Sequence, residues 1–186
     1  MIEELDTALF MTLNGLGSPW LDPVMWALSE RWTWIPVYAL LAYIAWKKWG
    51  LKKAAFWAGC FVVSVGLSNF ITSEILKPNV ARYRPCQPES GLEDVFVLDG
   101  HCGGKFGFAS SHAANFFAMA WWVAALPLRR RWKYVAFALA AAVAWSRVYL
   151  GVHYPGDVVA GAGIGLMAAL GVRAIALRLG WGREQA

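Results

Sequence analysis

The sequence predicts an all-α membrane protein: a polytopic helix bundle of about five transmembrane spans preceded by an amphipathic interfacial helix. Three observations predict it. Of 186 residues, 59% are hydrophobic and only 16% are charged, where soluble domains carry roughly 45–50% and about 25%; such hydrophobicity also excludes intrinsic disorder. The apolar residues fall in long runs. The cations behind the net charge of +5 sit in short clusters between those runs, not in the continuous basic stripe of a nucleic-acid-binding module. Residues 1–186 read as a single membrane-embedded domain.

At the N-terminus, Ile2, Leu5, Leu9, Leu13 and Leu16 recur at helical spacing, with Glu3, Glu4, Asp6 and Asn14 between them. This pattern predicts a helix lying in the outer interface. Gly15, Gly17, Ser18 and Pro19 end it. Leu21–Leu28 follows as a second short interfacial helix, because Asp22, Glu30 and Arg31 interrupt any span across this region. The start lacks the basic residues of a secretory signal.

The spans then run from Trp32 to Trp46, from Ala54 to Ser73, from His112 to Leu128, from Trp132 to Trp145 with continuation to Leu150, and from Val158 to Leu177. The first and fourth fall short of the ~20 residues that cross a bilayer, a gap that tilt and snorkelling cations close. Lys47, Lys48, Lys52 and Lys53 fill the first connection. Arg129, Arg130, Arg131 and Lys133 fill the third, and Arg173, Arg178 and Arg183 lie near the C-terminus. Five spans put all three groups on one side, which the positive-inside rule makes cytoplasmic, leaving the N-terminus outside. Trp20, Trp32, Trp34, Trp46, Trp49, Trp132, Trp145 and Trp181 fall near span ends, as interfacial anchors do. Gly161 and Gly165 predict close helix packing in the last span. Cys60 is a mid-span core residue, whereas Cys86 and Cys102 share the outer loop and would pair in an oxidising compartment.

Ionisable residues at a membrane edge are costly and therefore functional candidates. Three clusters map to the outer side: Lys77, Arg82 and Arg84 after the second span; Ser110, Ser111 and His112 at the start of the third; and Ser146, Arg147, His153 and Asp157 between the fourth and fifth. The inventory suits phosphoryl chemistry. Cations bind phosphate oxygens, a helix N-terminus adds amides, and two histidines serve as nucleophile and acid near neutral pH. A carboxylate holds one imidazole in its tautomer. No metal is required, and no acidic cluster suited to Mg²⁺ is present.

These clusters resemble the three-part signature of the type 2 phosphatidic acid phosphatase family, metal-independent membrane lipid phosphatases with the patterns K-x-x-x-x-x-x-R-P, P-S-G-H and S-R-x-x-x-x-x-H-x-x-x-D. Lys77, Arg84 and Pro85 match the first; Ser146, Arg147, His153 and Asp157 match the third. The second matches at Ser110 and His112, while Ala109 stands for proline and Ser111 for glycine. The resemblance implies that His153 forms a phosphohistidine, that Asp157 orients it, and that His112 protonates the leaving oxygen and then activates water. It implies that Lys77, Arg84 and Arg147 bind phosphate, with Ser110 giving a hydroxyl and Ser110 and Ser111 giving backbone amides. Asn115 is expected to contact substrate, a histidine or a neighbouring helix; Glu74 is expected to pair with Lys77, and His101 and Lys105 to be solvated.

By the same resemblance the partner is a lipid phosphate, hydrolysed on the outer face of a bacterial inner membrane without a cofactor. Undecaprenyl diphosphate is the first expectation. A lipid A, phosphatidylglycerophosphate or phosphatidic acid phosphatase is the alternative. A non-catalytic lipid-binding or transporter-like protein is the reading of another class; it would have lost His112, His153 or Asp157, and all three are present.

Overall fold

The computed structural model describes residues 1–180; Trp181 and Arg183 lie outside the described residues. Among those described, the only extended pairing is one isolated antiparallel bridge, Tyr83 to Phe106; the rest is helix and loop. Helices α1 (Ile2–Asn14) and α2 (Asp22–Ser29) correspond to the two interfacial segments. Leu5 and Leu9 of α1 are exposed, and its interior face carries Phe10 and Asn14. Phe10 packs on Tyr154 at 5.4 Å. Asn14 donates to the carbonyls of Phe96 and Tyr149 and accepts from the Phe96 amide. Asp6, Phe10, Leu13 and Asn14 of α1 thus turn toward protein, while Leu5 and Leu9 stay exposed on the other side.

Helix α3 (Ile35–Phe70) is two helices joined at Gly50, whose φ of 78° and ψ of 170° suit glycine. The Tyr38 and Phe61 rings lie 6.1 Å apart, where a straight helix would separate them by about 35 Å. The chain therefore doubles back at the lysine-rich connection, as the two predicted spans require. A wide π turn (Ile71–Leu76) leads into the short α4 (Lys77–Val80). The loop beyond is tied by a Cys86–Cys102 disulfide with Cα atoms 5.6 Å apart, the pairing open to them in the sequence.

Helices α5 (Ser111–Ala125), α6 (Arg130–Tyr149) and α7 (Pro155–Arg178) complete the bundle. Gly161 and Gly165 bring α7 against the backbone of α5: a Cβ at either would collide with the carbonyl oxygen of Ser110 or Ala114. Trp57 donates to the Trp122 carbonyl at 3.1 Å and Trp122 to the Ser64 hydroxyl at 2.8 Å, pinning α3 to α5. Trp34 departs from the anchoring expectation. It is buried, its Nε1 donates to the Leu28 carbonyl, and its ring packs edge-on against Phe116. Two helical stretches, Arg31–Val80 and Pro155–Arg178, are long and apolar enough to cross a membrane.

Candidate active site

All three predicted clusters meet at one end of the bundle. The wide turn before α4 sets the first. In a regular helix, residues three and four apart share a face; the π turn alters that register, and Lys77 swings toward α5. Its Nζ donates to the Ser111 hydroxyl at 2.9 Å, which also receives Thr72 Oγ1 at 2.9 Å and lies 2.9 Å from Ser73 Oγ. The expected Glu74–Lys77 ion pair is absent among the described residues, because the ammonium turns to these hydroxyls instead.

Ser110 caps α5 by accepting from the Ala113 amide at 3.4 Å, a favoured role for serine. Its own N–H donates to the Asp157 carbonyl at 3.0 Å. This corrects one expectation: the Ser110 amide is already engaged, which leaves the Ser110 hydroxyl and the first-turn amides of Ser111 and His112 as the donors at this terminus. Asn115, one turn into α5, accepts from the Ser68 hydroxyl at 3.0 Å, a helix–helix contact on the cavity wall.

The turn from α6 to α7 carries the third cluster. The Val152 and His153 amides both donate to the Arg147 carbonyl. Gly151 sits at φ 75° beneath the Phe96 carbonyl, leaving no room for a side chain. This local closure holds His153 next to Arg147. Arg147 Nη1 bonds the Ser29 hydroxyl, and its buried Nε has no partner, an unmet donor that invites an anion. Arg84 is buried as well; Nε donates to the Phe106 carbonyl at 3.2 Å and Nη1 to Val152 at 3.4 Å, with Gly103 close beside the guanidinium.

His153 Nδ1 lies 3.2 Å from Asp157 Oδ2, both side chains being almost fully buried. Nε2 is therefore the nitrogen left for a ligand. Burial first, and then the charges of Arg84, Arg147 and Lys77, hold the imidazole well below its usual pKa and so keep it neutral near pH 7. The Asp157 carboxylate also accepts from the Tyr154 amide at 3.1 Å and from Arg82 Nη1 at 2.9 Å. Arg82 stacks 3.8 Å over the Tyr154 ring and reaches Asp6 of α1 at 2.8 Å. Gly107 closes the dyad. An added Cβ there would stand 3.0 Å from Asp157 Oδ2 and 3.5 Å from His153 Nδ1.

His112 differs. Its ring lies beside the Ser29 backbone, and with Arg147 it lines a cavity of about 770 Å³. Tyr38, Phe61, Val62 and Val65 form an apolar wall of that cavity, while Glu30, Arg31 and His101 form a polar one. His101 is exposed, as expected, and its ring also packs edge-on against Trp26 at 5.2 Å on this wall. Lys105 stays outside, 3.7 Å from Glu89.

Sequence reasoning missed Asp6, Ser29 and Gly107, and it placed Arg82 in the first cluster without giving it a role. Arg82 had a signal, since it stands two residues before Arg84 in an extended segment and so shares a face with it. The other three had none, because their roles arise from contacts between distant parts of the chain.

The sequence model of the PAP2 superfamily matches residues 57–181. The lipid A 4'-phosphatase of Bacteroides thetaiotaomicron is 38% identical over 166 residues, which cover 88% of this chain and 73% of that protein. YbjG of Escherichia coli K12, a provisionally assigned undecaprenyl-diphosphatase, is 30% identical over 180 residues, 94% of this chain and 84% of that one. Among solved structures, Aquifex aeolicus LpxE superposes with a TM-score of 0.73 at 24% identity, covering 91% of this chain and 95% of that chain.

Proposed function

Since this chain belongs to the PAP2 superfamily of membrane lipid phosphatases, we propose that it cleaves a phosphate monoester from the sugar headgroup of a lipid A-type glycolipid through a phosphohistidine on His153. The observation that carries the chemistry is the pairing of a buried His153–Asp157 dyad with a second histidine, His112, that faces a cavity beside Arg147.

In the proposed reaction the phosphate oxygens engage Lys77, Arg84 and Arg147, the Ser110 hydroxyl and the Ser111 and His112 amides. Neutral His153 attacks phosphorus through Nε2 while Asp157 holds the Nδ1 proton. The bond from phosphorus to the ester oxygen breaks, and His112 gives its proton to the departing alcohol. His112, now neutral, takes a proton from water. The resulting oxygen attacks phosphorus, the P–N bond breaks, and inorganic phosphate leaves. Fixed cations supply the charge stabilisation.

The substrate preference follows two supports. The relative at 38% identity is named a lipid A 4'-phosphatase, whereas the one whose name concerns undecaprenyl diphosphate stands at 30%; undecaprenyl diphosphate, the first expectation from the sequence, therefore becomes the second choice. The cavity also suits the preferred class, with Glu30, Arg31 and His101 for a polar headgroup and Tyr38, Phe61 and Val62 for acyl chains. We place this end of the bundle at the outer membrane face, with five passes and a cytoplasmic C-terminus, on the strength of the lysine and arginine clusters at the opposite end.

The test is phosphate release by purified protein in detergent from lipid A bisphosphate, undecaprenyl diphosphate, phosphatidylglycerophosphate and phosphatidic acid. The expected result is a kcat/KM for lipid A at least about tenfold above the others, a difference of roughly 1.4 kcal/mol. A higher value for undecaprenyl diphosphate overturns the substrate assignment.

A further inference from the structure

The dyad is connected to a helix that no motif covers. Asp6 lies on α1, near the chain's beginning, yet its Oδ2 lies 2.8 Å from Arg82 Nη2 and its Oδ1 accepts from the Gly156 amide at 2.7 Å. Those two contacts approach Asp157 from both sides. Gly156 precedes it in the first turn of α7, and Arg82 Nη1 grips its Oδ1 at 2.9 Å. The fit is close: a Cβ on residue 156 would stand 2.8 Å from Asp6 Oδ2. The Asp6 and Arg82 side chains are only 13% and 24% exposed, so solvent weakens this pair less than a surface ion pair. On the opposite face of α1, Leu5 and Leu9 are exposed.

We infer that Asp6 is a positioning residue for the reaction: through Arg82 and the Gly156 amide, α1 sets the place and the charge of the Asp157 carboxylate that orients His153. The inference rests on the phosphatase reading above. The electrostatics give it a distinctive sign. Arg82 divides its positive charge between two carboxylates. Removing the Asp6 charge leaves all of Arg82 to Asp157, which then holds the proton on His153 less firmly. Removing the Arg82 charge does the reverse. The other charged or titratable groups facing His153 are Lys77, Arg84, His112 and Arg147, and neither substitution alters them.

The experiment compares wild type, Asp6→Asn, Asp6→Glu and Arg82→Gln on lipid A bisphosphate in detergent, with kcat and KM measured across pH and folding checked by thermal unfolding. For Asp6→Asn we expect kcat to fall about 10- to 100-fold, the scale of a small misplacement of a catalytic group, with KM within about twofold of wild type. Its acid limb of kcat/KM should move to lower pH and that of Arg82→Gln to higher pH. Asp6→Glu, which keeps the charge on a longer arm, should keep the wild-type limb. An Asp6→Asn enzyme with unchanged kcat overturns the inference. So does a fall in kcat with an unmoved limb, or an Asp6→Glu enzyme whose limb moves with that of Asp6→Asn. Should wild type itself release no phosphate from any lipid of the panel, the phosphatase reading fails, and that result is distinct from all of these.

Discussion

His153 is almost fully buried, whereas His112 looks into the cavity. The first is held by Asp157, by the turn after α6 and by the walls formed by Gly107 and Arg84. The second has the backbone of Ser29 and the charge of Arg147 as neighbours. The difference matches the part that the proposed reaction gives each ring. A nucleophile gains from one fixed geometry. An acid that later acts as a base must serve a leaving alcohol and then a water molecule at nearly the same place, so it needs an open side. Each half is also tied to a different N-terminal helix, α1 through Asp6 and α2 through Ser29.

The sharpest way to break this comparison is to delete each ring and change the leaving group. His153→Ala is expected to lower turnover by more than about 10⁴-fold on every substrate, since no covalent intermediate forms. His112→Ala should lose about 10²- to 10⁴-fold on a lipid phosphate, whose alcohol needs a proton, yet less than about tenfold on p-nitrophenyl phosphate, whose phenolate leaves unaided. Equal losses on both substrates for His112→Ala would remove its role as acid. Phosphate release with each substrate measures this directly.

The rigid half is expected to resist even one added methyl. Gly107→Ala places a Cβ 3.0 Å from Asp157 Oδ2 and 3.3 Å from Arg84 Cγ, both in buried side chains that have little room to yield. We expect roughly 10- to 100-fold lower kcat and about 1–3 kcal/mol lower stability. Gly163→Ala, where a Cβ meets nothing within 4 Å, is the control and should match wild type in both assays.

What was legible from sequence follows the same division. The charged and histidine residues of the three clusters matched a family pattern in type and spacing, so Lys77, Arg84, His112, Arg147, His153 and Asp157 could be named from the sequence. The helices were legible as well, because apolar runs and the lysines around Gly50 mark where a membrane chain must turn. Residues that hold the signature residues in place were not. Asp6 looked like one more polar position on an amphipathic helix, and only the packing of α1 beside α7 turns it inward. Trp34 sat where interfacial tryptophans sit, but the Leu28 carbonyl offered its indole a partner inside the protein. Glu74 had helical spacing to Lys77, and the π turn removed it.

Titration offers a gentler probe of the enclosed ring. Its pKa in the folded protein is held well below the ordinary value by burial and by three cations. The unfolded chain therefore binds a proton near pH 6.5 that the folded protein refuses. Stability from this group is complete above about pH 6.5 and is lost as pH falls from there toward the depressed folded value, by up to about 1.4 kcal/mol per pH unit. Thermal unfolding in detergent at pH 7.5 and 5.5 should show the loss, and His153→Gln should flatten it. An equal slope in that variant would assign the pH dependence to other groups.

The smallest expected effect concerns the residue that stands where the family pattern has glycine. The Ser111 hydroxyl is within 2.9 Å of Lys77 Nζ, Thr72 Oγ1 and Ser73 Oγ, so it fixes the ammonium before any phosphate arrives. Ser111→Gly removes that anchor and leaves Lys77 only Ser73 Oγ, at 3.5 Å. A lysine is a flexible point charge, and freeing it costs the bound state some order without altering the reacting atoms. KM is therefore expected to rise about two- to fivefold while kcat stays within about twofold, the pattern of lost uniform binding. A fall in KM would mean instead that the hydroxyl competes with phosphate for the ammonium, and an unchanged KM would leave the hydroxyl without a part in binding. The outcome bears on the opening contrast, because Ser111 adjoins the His112 side of the site. A KM effect without a kcat effect would mark that side as one where binding is tuned, and the His153 side as the one where geometry is not negotiable.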